Sequence, residues 1–127
     1  MTVDTNAIRG FYEAWASRDM DRLREAFDPD LLWHVPGRNQ MTGDYRSDEF
    51  FTKLAPKVAE ADRWDFEVHD ITTSDDHAVA LLRIHGEREG KTVDGAGAHV
   101  LHLSPEGKIK EGWGLLFDQA AMDDFWS

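Results

Sequence analysis

Residues 78–117 read AVALLRIHGER-EG-KTVDGAGAHVLHL-SPEG-KIKEGWGLLF. Three long runs, Ala78–Arg88, Lys91–Leu103 and Lys108–Phe117, are parted by Glu89-Gly90 and by Ser104-Pro105-Glu106-Gly107, both turn-forming. A two-residue turn at Glu89-Gly90 sets Arg88 opposite Lys91. Ala80 then faces His99, Leu82 faces Gly97 and Ile84 faces Gly95. A four-residue loop Ser104–Gly107 sets Leu103 opposite Lys108, His99 opposite Gly112 and Gly97 opposite Gly114. One face of this predicted sheet carries Ala80, Leu82, His99, Leu101, Gly112, Gly114 and Leu116. The other carries Val79, Leu81, Arg83, His85, Ala98, Val100, His102, Ile109, Glu111, Trp113, Leu115 and Phe117. A one-residue slip in either turn would exchange the two faces.

Upstream, Trp64, Phe66 and Val68 alternate with Asp65, Glu67 and His69 as a fourth long strand, ended by Ser74-Asp75-Asp76. Leu31–Val35 reads as a further strand closed by Pro36-Gly37. Before it, Ile8, Phe11, Tyr12 and Trp15 share one face of a helix. Asp19 caps a second, short helix carrying Met20, Leu23 and Phe27 and stopping near Asp28-Pro29. Ser47 opens a third with Phe50, Phe51, Leu54, Val58 and Ala61, kinked at Pro56. Asp118 caps a last short helix through Trp126. Helices followed by an antiparallel meander mean an α+β fold.

The chain has 127 residues, which suits one domain over 1–127. Its 25 acidic and 14 basic residues leave a net charge of −11, which repels phosphate backbones and anionic lipid, so no nucleic-acid or membrane partner is expected. Cys 0 excludes disulfides, thiolate nucleophiles and cysteine metal sites. No apolar run reaches the roughly 18 residues of a membrane span. Met1-Thr2-Val3-Asp4 lacks the basic-then-apolar pattern of a signal peptide, and a cytoplasmic location is the expectation.

Small residues and glycines on the first sheet face let the sheet bend and leave space, the makings of an internal pocket under the helices. The second face is also apolar, and the three main helices can cover only one side. A homodimer through Leu81, Val100, Trp113, Leu115 and Phe117 is the simplest way to cover it.

His34-Val35-Pro36-Gly37-Arg38-Asn39 with Thr42-Gly43-Asp44-Tyr45 resembles the loop signature of SnoaL-like proteins. That group sits in the nuclear transport factor 2-like superfamily with ketosteroid isomerases and limonene epoxide hydrolases. Ser17-Arg18-Asp19-Met20-Asp21, Gly107-Lys108-Ile109 and the tail from Asp118-Gln119 to Phe125-Trp126 fit the same pattern, so the resemblance covers nearly the whole chain. It implies a cone-shaped α+β barrel: three N-terminal helices on a curved, mainly antiparallel sheet, a short C-terminal helix, a deep apolar pocket and dimerisation through the sheet. It implies less about activity, because the fold hosts several enzymes and many binders. The isomerase's general-base aspartate falls on Val35, its helix-1 tyrosine on Phe11 and its second oxyanion-hole acid on His99. Valine and phenylalanine cannot do that chemistry. The aspartate that polyketide cyclases of the family are thought to use falls near Trp113, with Asp118 the nearest carboxylate. The Asp–Arg–Asp set of the epoxide hydrolases has no counterpart on the inward sheet face.

His99 is therefore the leading catalytic candidate. It reads either as an acid, base or hydrogen-bond donor in an apolar pocket, or as a structurally bonded histidine, and desolvation favours its neutral form. Asp118 reads first as an N-cap and second as a rim carboxylate. Phe11, Trp15, Trp33, Val35, Tyr45, Phe51, Leu82, Leu101, Gly112, Gly114 and Leu116 are the expected pocket wall, with Arg38 and Asn39 in the loop beside Tyr45. His34 should make a structural hydrogen bond. His85 with Asp94, and His102 with Glu111, suit ion pairing better than a metal, so neither metal nor cofactor is expected. Gly95-Ala96-Gly97 and Gly112-Trp113-Gly114 lie inside strands and are not nucleotide loops. Three functions fit. One is a cofactor-independent cyclase- or isomerase-type enzyme on a hydrophobic, carbonyl-bearing or polycyclic molecule. The others are a non-catalytic carrier or sensor using the same pocket, and a protein-interaction module.

Overall fold

The computed structural model describes residues 4–127; Met1 to Val3, part of the N-terminal segment considered above, lie outside the described residues. Helix α1 (Thr5–Ser17) starts at Asp4, whose carboxylate accepts the Asn6 amide at 2.9 Å, and buries Ile8, Phe11, Tyr12, Ala14 and Trp15. Arg18 ends it in the left-handed region at φ 57°, a conformation that costs a side chain energy. Its guanidinium repays this by donating to the carbonyls of Trp15 and Trp64 at 3.0 and 3.1 Å. Asp19 then caps α2 (Met20–Ala26) through the Arg22 amide.

Strand β1 (Phe27–Val35) begins four residues earlier than the hydrophobic pattern indicates. Phe27, expected as the last helical side chain, is extended and opens the strand, because Asp28-Pro29 bars any further helical turn. Asp28, Pro29 and Asp30 fall in the irregularity between the Phe27 and Leu32 pairings, where a proline without an N–H is tolerated. Residues read as a plain loop include a short strand, β2 (Gly43–Arg46), paired back onto β1.

The third helical segment has three parts: α3 (Ser47–Glu49), a π-helical turn Phe50–Leu54 and α4 (Ala55–Ala59). Pro56 cannot donate to the preceding turn, and the Ala55 amide reaches back to the Phe50 carbonyl instead. The expected kink is thus a widened turn, which seats Phe50 against Phe27, Trp33 and Trp15 at centroid distances of 4.9, 5.8 and 6.0 Å.

Strands β3 (Arg63–Thr73), β4 (His77–Arg88), β5 (Lys91–Leu103) and β6 (Ile109–Leu116) form the meander, and α5 (Gln119–Phe125) ends the chain. The sheet order is β2-β1-β6-β5-β4-β3, antiparallel except for the β1–β6 pair. Glu89 and Gly90 both have positive φ, 50° and 77°, as a two-residue hairpin turn requires, and the β4–β5 register is the one read from the sequence.

The β5–β6 register is not. The connection spans Ser104–Lys108, with the Ser104 amide donating to the Lys108 carbonyl, and Lys110 bulges out between the Leu103–Ile109 and His102–Glu111 pairs. His99 therefore lies opposite Gly114 rather than Gly112, and Gly97 opposite Leu116. The error is two residues, so the faces survive it. Ile109 alone changes sides: the bulge turns it inward, where it is 2% exposed beside Leu103. Helices cover the inner face of this curved sheet in the cone fold. No helix among the described residues is long and apolar enough to cross a membrane.

Candidate functional site

A cavity of about 100 Å³ lies between α1, the Phe50–Leu54 turn, β1, the sheet and α5. Of the side chains expected in its wall, Phe11, Trp15, Trp33, Val35, Gly114 and Leu116 line it, together with His99. Trp64, Phe66, Ile84, Met41 and Trp126 join them from strands, loop and tail. Five expected wall residues stand elsewhere. Leu82 and Leu101 are packed in the core, and Phe51 lies on the far side of the π-helical turn under the Arg24 guanidinium. Tyr45 is buried with its hydroxyl donating to the Met41 carbonyl at 2.8 Å. Gly112 borders no vacant space, because Trp33 fills it: a Cβ there would stand 2.4 Å from Trp33 Cζ3.

Among the described residues no aspartate, glutamate, lysine or arginine borders the cavity. Asp118 is a cap, accepting the Ala121 amide at 3.1 Å, and takes no place in the wall. Leu115 apart, the partly buried lining residues are Val35, Pro36, Asn39, Phe66, Gly114, Gln119 and Met122, and four of these, Pro36, Asn39, Gln119 and Met122, gather where the β1–β2 loop meets α5. That side is the opening. A single carboxylate ties its two halves together. Asp123 Oδ1 accepts from the Arg38 amide, Asn39 Nδ2 and Gln119 Nε2 at 2.9, 2.8 and 3.0 Å. These bonds hold its carboxyl below the usual carboxylate range.

His99 is 5% exposed and, among the described residues, is the one titratable group in the wall. Its ring is held by Tyr12 in a stack and by Phe66 and Trp33 edge-on, at centroid distances of 5.7, 5.1 and 5.2 Å. Tyr12 Oη lies 2.9 Å from His99 Nδ1. Were Nδ1 the donor, the phenol proton would lack an acceptor among the described residues. With the phenol donating, the Tyr12 hydroxyl and His99 Nδ1 satisfy each other and the imidazole proton sits on Nε2. Nε2 borders Gly114, where a Cβ would approach it to 3.3 Å. Burial alone drives the His99 pKa down to about 3 and pushes that of Tyr12 far above its ordinary value. Near pH 7 both are neutral. A second N–H is also without a partner: Trp15 Nε1 is buried and bonded to nothing among the described residues.

Tyr12 is the member that sequence reasoning left out. Its place on the buried face of α1 was legible, but the bond links residues 87 apart in sequence and depends on the side-chain direction of a helix over a sheet.

On the outer sheet face His34 donates to Asp44 and Glu111, both at 2.7 Å, and stacks on Trp113. Burial lowers its pKa, but the two carboxylates outweigh that and leave it raised. His85 lies opposite Asp94 as expected, with Arg83 donating to the same carboxylate at 2.9 Å. Leu81, Leu115 and Phe117 on this face are 37%, 36% and 66% exposed. Among the described residues no group of three or more His, Asp or Glu side chains converges on one point as a metal cage.

The SnoaL-like domain family matches residues 8–112. An uncharacterized protein of Mycobacterium tuberculosis, Rv0034, is 28% identical over 127 residues, covering 98% of this chain and 96% of its own. Among solved structures, Bal32a, from a soil-derived mobile gene cassette, superposes with a TM-score of 0.90 at 28% identity, over 97% of this chain and 95% of that one. IdmH of Streptomyces antibioticus, proposed as a polyketide cyclase, superposes with a TM-score of 0.74 at 21% identity, over 93% and 94% of the two chains.

Proposed function

Because the chain belongs to the SnoaL-like family, we propose that it binds a small, neutral, largely apolar molecule in the cavity under α1, with His99 Nε2–H as the fixed hydrogen-bond donor. The observation that carries this is the Tyr12–His99 bond in a wall otherwise made of aromatic and aliphatic side chains. An uncharged wall gives no compensation to a charged ligand, whose desolvation would go unrewarded. An oriented donor in an apolar site selects for an acceptor such as a carbonyl oxygen. A cavity of about 100 Å³ is smaller than the ~150 Å³ void known to take up benzene. The void therefore encloses only part of a ring-sized ligand, whose remainder extends through the opening beside Asn39 and Gln119.

Four of the five tryptophans, Trp15, Trp33, Trp64 and Trp126, line the cavity. Titration with ketosteroids, aromatic polyketide intermediates and epoxides, read by tryptophan fluorescence and native mass spectrometry, tests the proposal. At least one compound should bind saturably at one per chain and bind at least tenfold more weakly to His99→Leu. Absence of binding across the panel, or equal binding by the variant, refutes it.

A second, catalytic reading draws on the same geometry. An imidazole with a pKa near 3 is mismatched to proton transfer at neutral pH, where acid–base catalysts work best with a pKa close to the working pH. Its Nε2–H can still polarise a carbonyl, which assists enolisation or ring closure. Cyclase- or isomerase-type turnover would then vanish in His99→Leu and persist, slowed, in Tyr12→Phe. Turnover unchanged in His99→Leu removes this reading. A second copy of the chain is the proposed cover for Leu81, Val100, Trp113, Leu115 and Phe117. A monomer by size-exclusion chromatography with light scattering would remove that dimer.

A further inference from the structure

On the outer sheet face β4 starts on one histidine, His77, and another, His102, is the last residue but one of β5. His77 and His102 are direct cross-strand neighbours. The Leu103 amide donates to the Asp76 carbonyl, so the adjoining 76/103 position is the hydrogen-bonded one and 77/102 is the non-bonded pair, in which side chains stand closest. The two rings meet with centroids 3.8 Å apart at an interplanar angle of 77°, Nε2 against Nε2. Asp76 Oδ1 is hydrogen-bonded to Nδ1 of His77, while Glu111 Oε1 stands 3.9 Å from Nδ1 of His102, an ion-pair distance without a hydrogen bond. Glu111 is itself fixed by the bond from His34.

Asp76 on Nδ1 draws the His77 proton to that side and turns the His77 Nε2 lone pair toward His102, whose own Nε2 either donates to it or, deprotonated, faces it with a second lone pair. Two lone pairs in contact repel unless a cation lies between them. A histidine whose far N–H is held by a carboxylate is also the usual form of a metal-ligating histidine. We propose that His77 and His102 together hold one divalent late first-row transition-metal ion, of the Ni²⁺, Cu²⁺ and Zn²⁺ group, through their Nε2 atoms. Imidazole pairs suit these ions, whereas Mg²⁺ and Ca²⁺ take oxygen ligands. Metal–nitrogen bonds of about 2.0–2.1 Å need the two rings to part slightly. Side-chain exposures of 44% for His77 and 33% for His102 leave room for that and for water in the remaining coordination positions.

The site is independent of the proposed ligand cavity, and either can fail alone. Tag-free protein is titrated with NiCl₂, CuCl₂ and ZnCl₂ by calorimetry, with MgCl₂ as a competitor. Cu²⁺ binding is also read by quenching of Trp113, whose ring lies 5.9 Å from that of His102. The expected result is one saturable site per chain, indifferent to Mg²⁺. It weakens at least tenfold in His77→Ala and in His102→Ala, and is unchanged in His85→Ala, which alters the other histidine cluster on this face. Asp76→Asn should weaken it by about 10- to 100-fold, as loss of such an outer partner does elsewhere. No saturable binding, or binding that survives in the His77→Ala/His102→Ala double variant, overturns the proposal.

Discussion

Lowering the pH from 7 to 5 should destabilise this protein through one residue in its core. His99 is buried and neutral, and desolvation sets its folded pKa at about 3. In the unfolded chain the same imidazole titrates near 6.5. Between those values the unfolded state binds a proton that the folded state refuses, so stability rises with pH through the window and falls as pH drops. At pH 7 the unfolded imidazole is largely neutral and the difference is small; at pH 5 it is almost wholly protonated. At 1.36 kcal/mol per unit of displacement the loss over this interval is about 2 kcal/mol. For a urea m-value of ~1–3 kcal/mol/M the unfolding midpoint then shifts by roughly 1 M.

Other groups titrate nearby and must be subtracted. His34 has a raised folded pKa, so its contribution has the opposite sign: present at low pH and lost as pH rises. Glu49, Asp76, Asp94 and Asp123 have lowered values, and their contributions fade only on acidification through the carboxylate range, below the window used. Urea unfolding of wild type and His99→Leu at half-unit steps from pH 5 to 7 isolates the His99 contribution. The gap between the two curves should narrow by about 2 kcal/mol on acidification. Parallel curves would mean that the imidazole is not buried neutral, and the account of the cavity would fail with it.

Tyr12→Phe leaves Nδ1 of His99 without its donor and should cost about 1–3 kcal/mol. In the Tyr12→Phe/His99→Leu double variant the loss should be smaller than the sum of the singles, as chemical denaturation can establish. Gly112→Ala drives a methyl into the Trp33 ring and should cost about 1–3 kcal/mol, lowering the melting temperature measured by calorimetry. Asp123→Ala releases the Arg38 amide and both rim amides, so hydrogen exchange at Arg38 and Asn39 should quicken while the β4–β5 strands stay protected. Unchanged exchange there would show that the loop does not depend on this carboxylate.

Much of this architecture was readable in advance because the tight turn at Glu89-Gly90 admits one register. Once Arg88 faces Lys91, His99 must face Ala80 and look inward, and His77 must face His102 on the outside. Where the chain has a looser connection, prediction slipped. Nothing local marks Lys110 as a bulge, so counting from the Ser104–Gly107 loop gives a β5–β6 pairing two residues off and sets Ile109 on the outer face. Gly112 was read as empty space because an indole arriving from β1 has no trace in the sequence around it. Likewise chain position suggests Tyr45 and Phe51 as wall residues, whereas a backbone carbonyl claims one and the widened turn before Pro56 rotates the other away.

The parallel seam between β1 and β6 joins Phe27 to Ile109 and Trp33 to Gly112. A chain emerging from the ribosome exposes β1 long before its partner has been synthesised, and until then β1 has only the short β2 along its far edge. Closure of this distant contact is an entropically slow step. A nascent or prematurely terminated chain would carry two unsatisfied strand edges, on β1 and β5, beside a row of aromatic side chains, and so would be a natural client for chaperones.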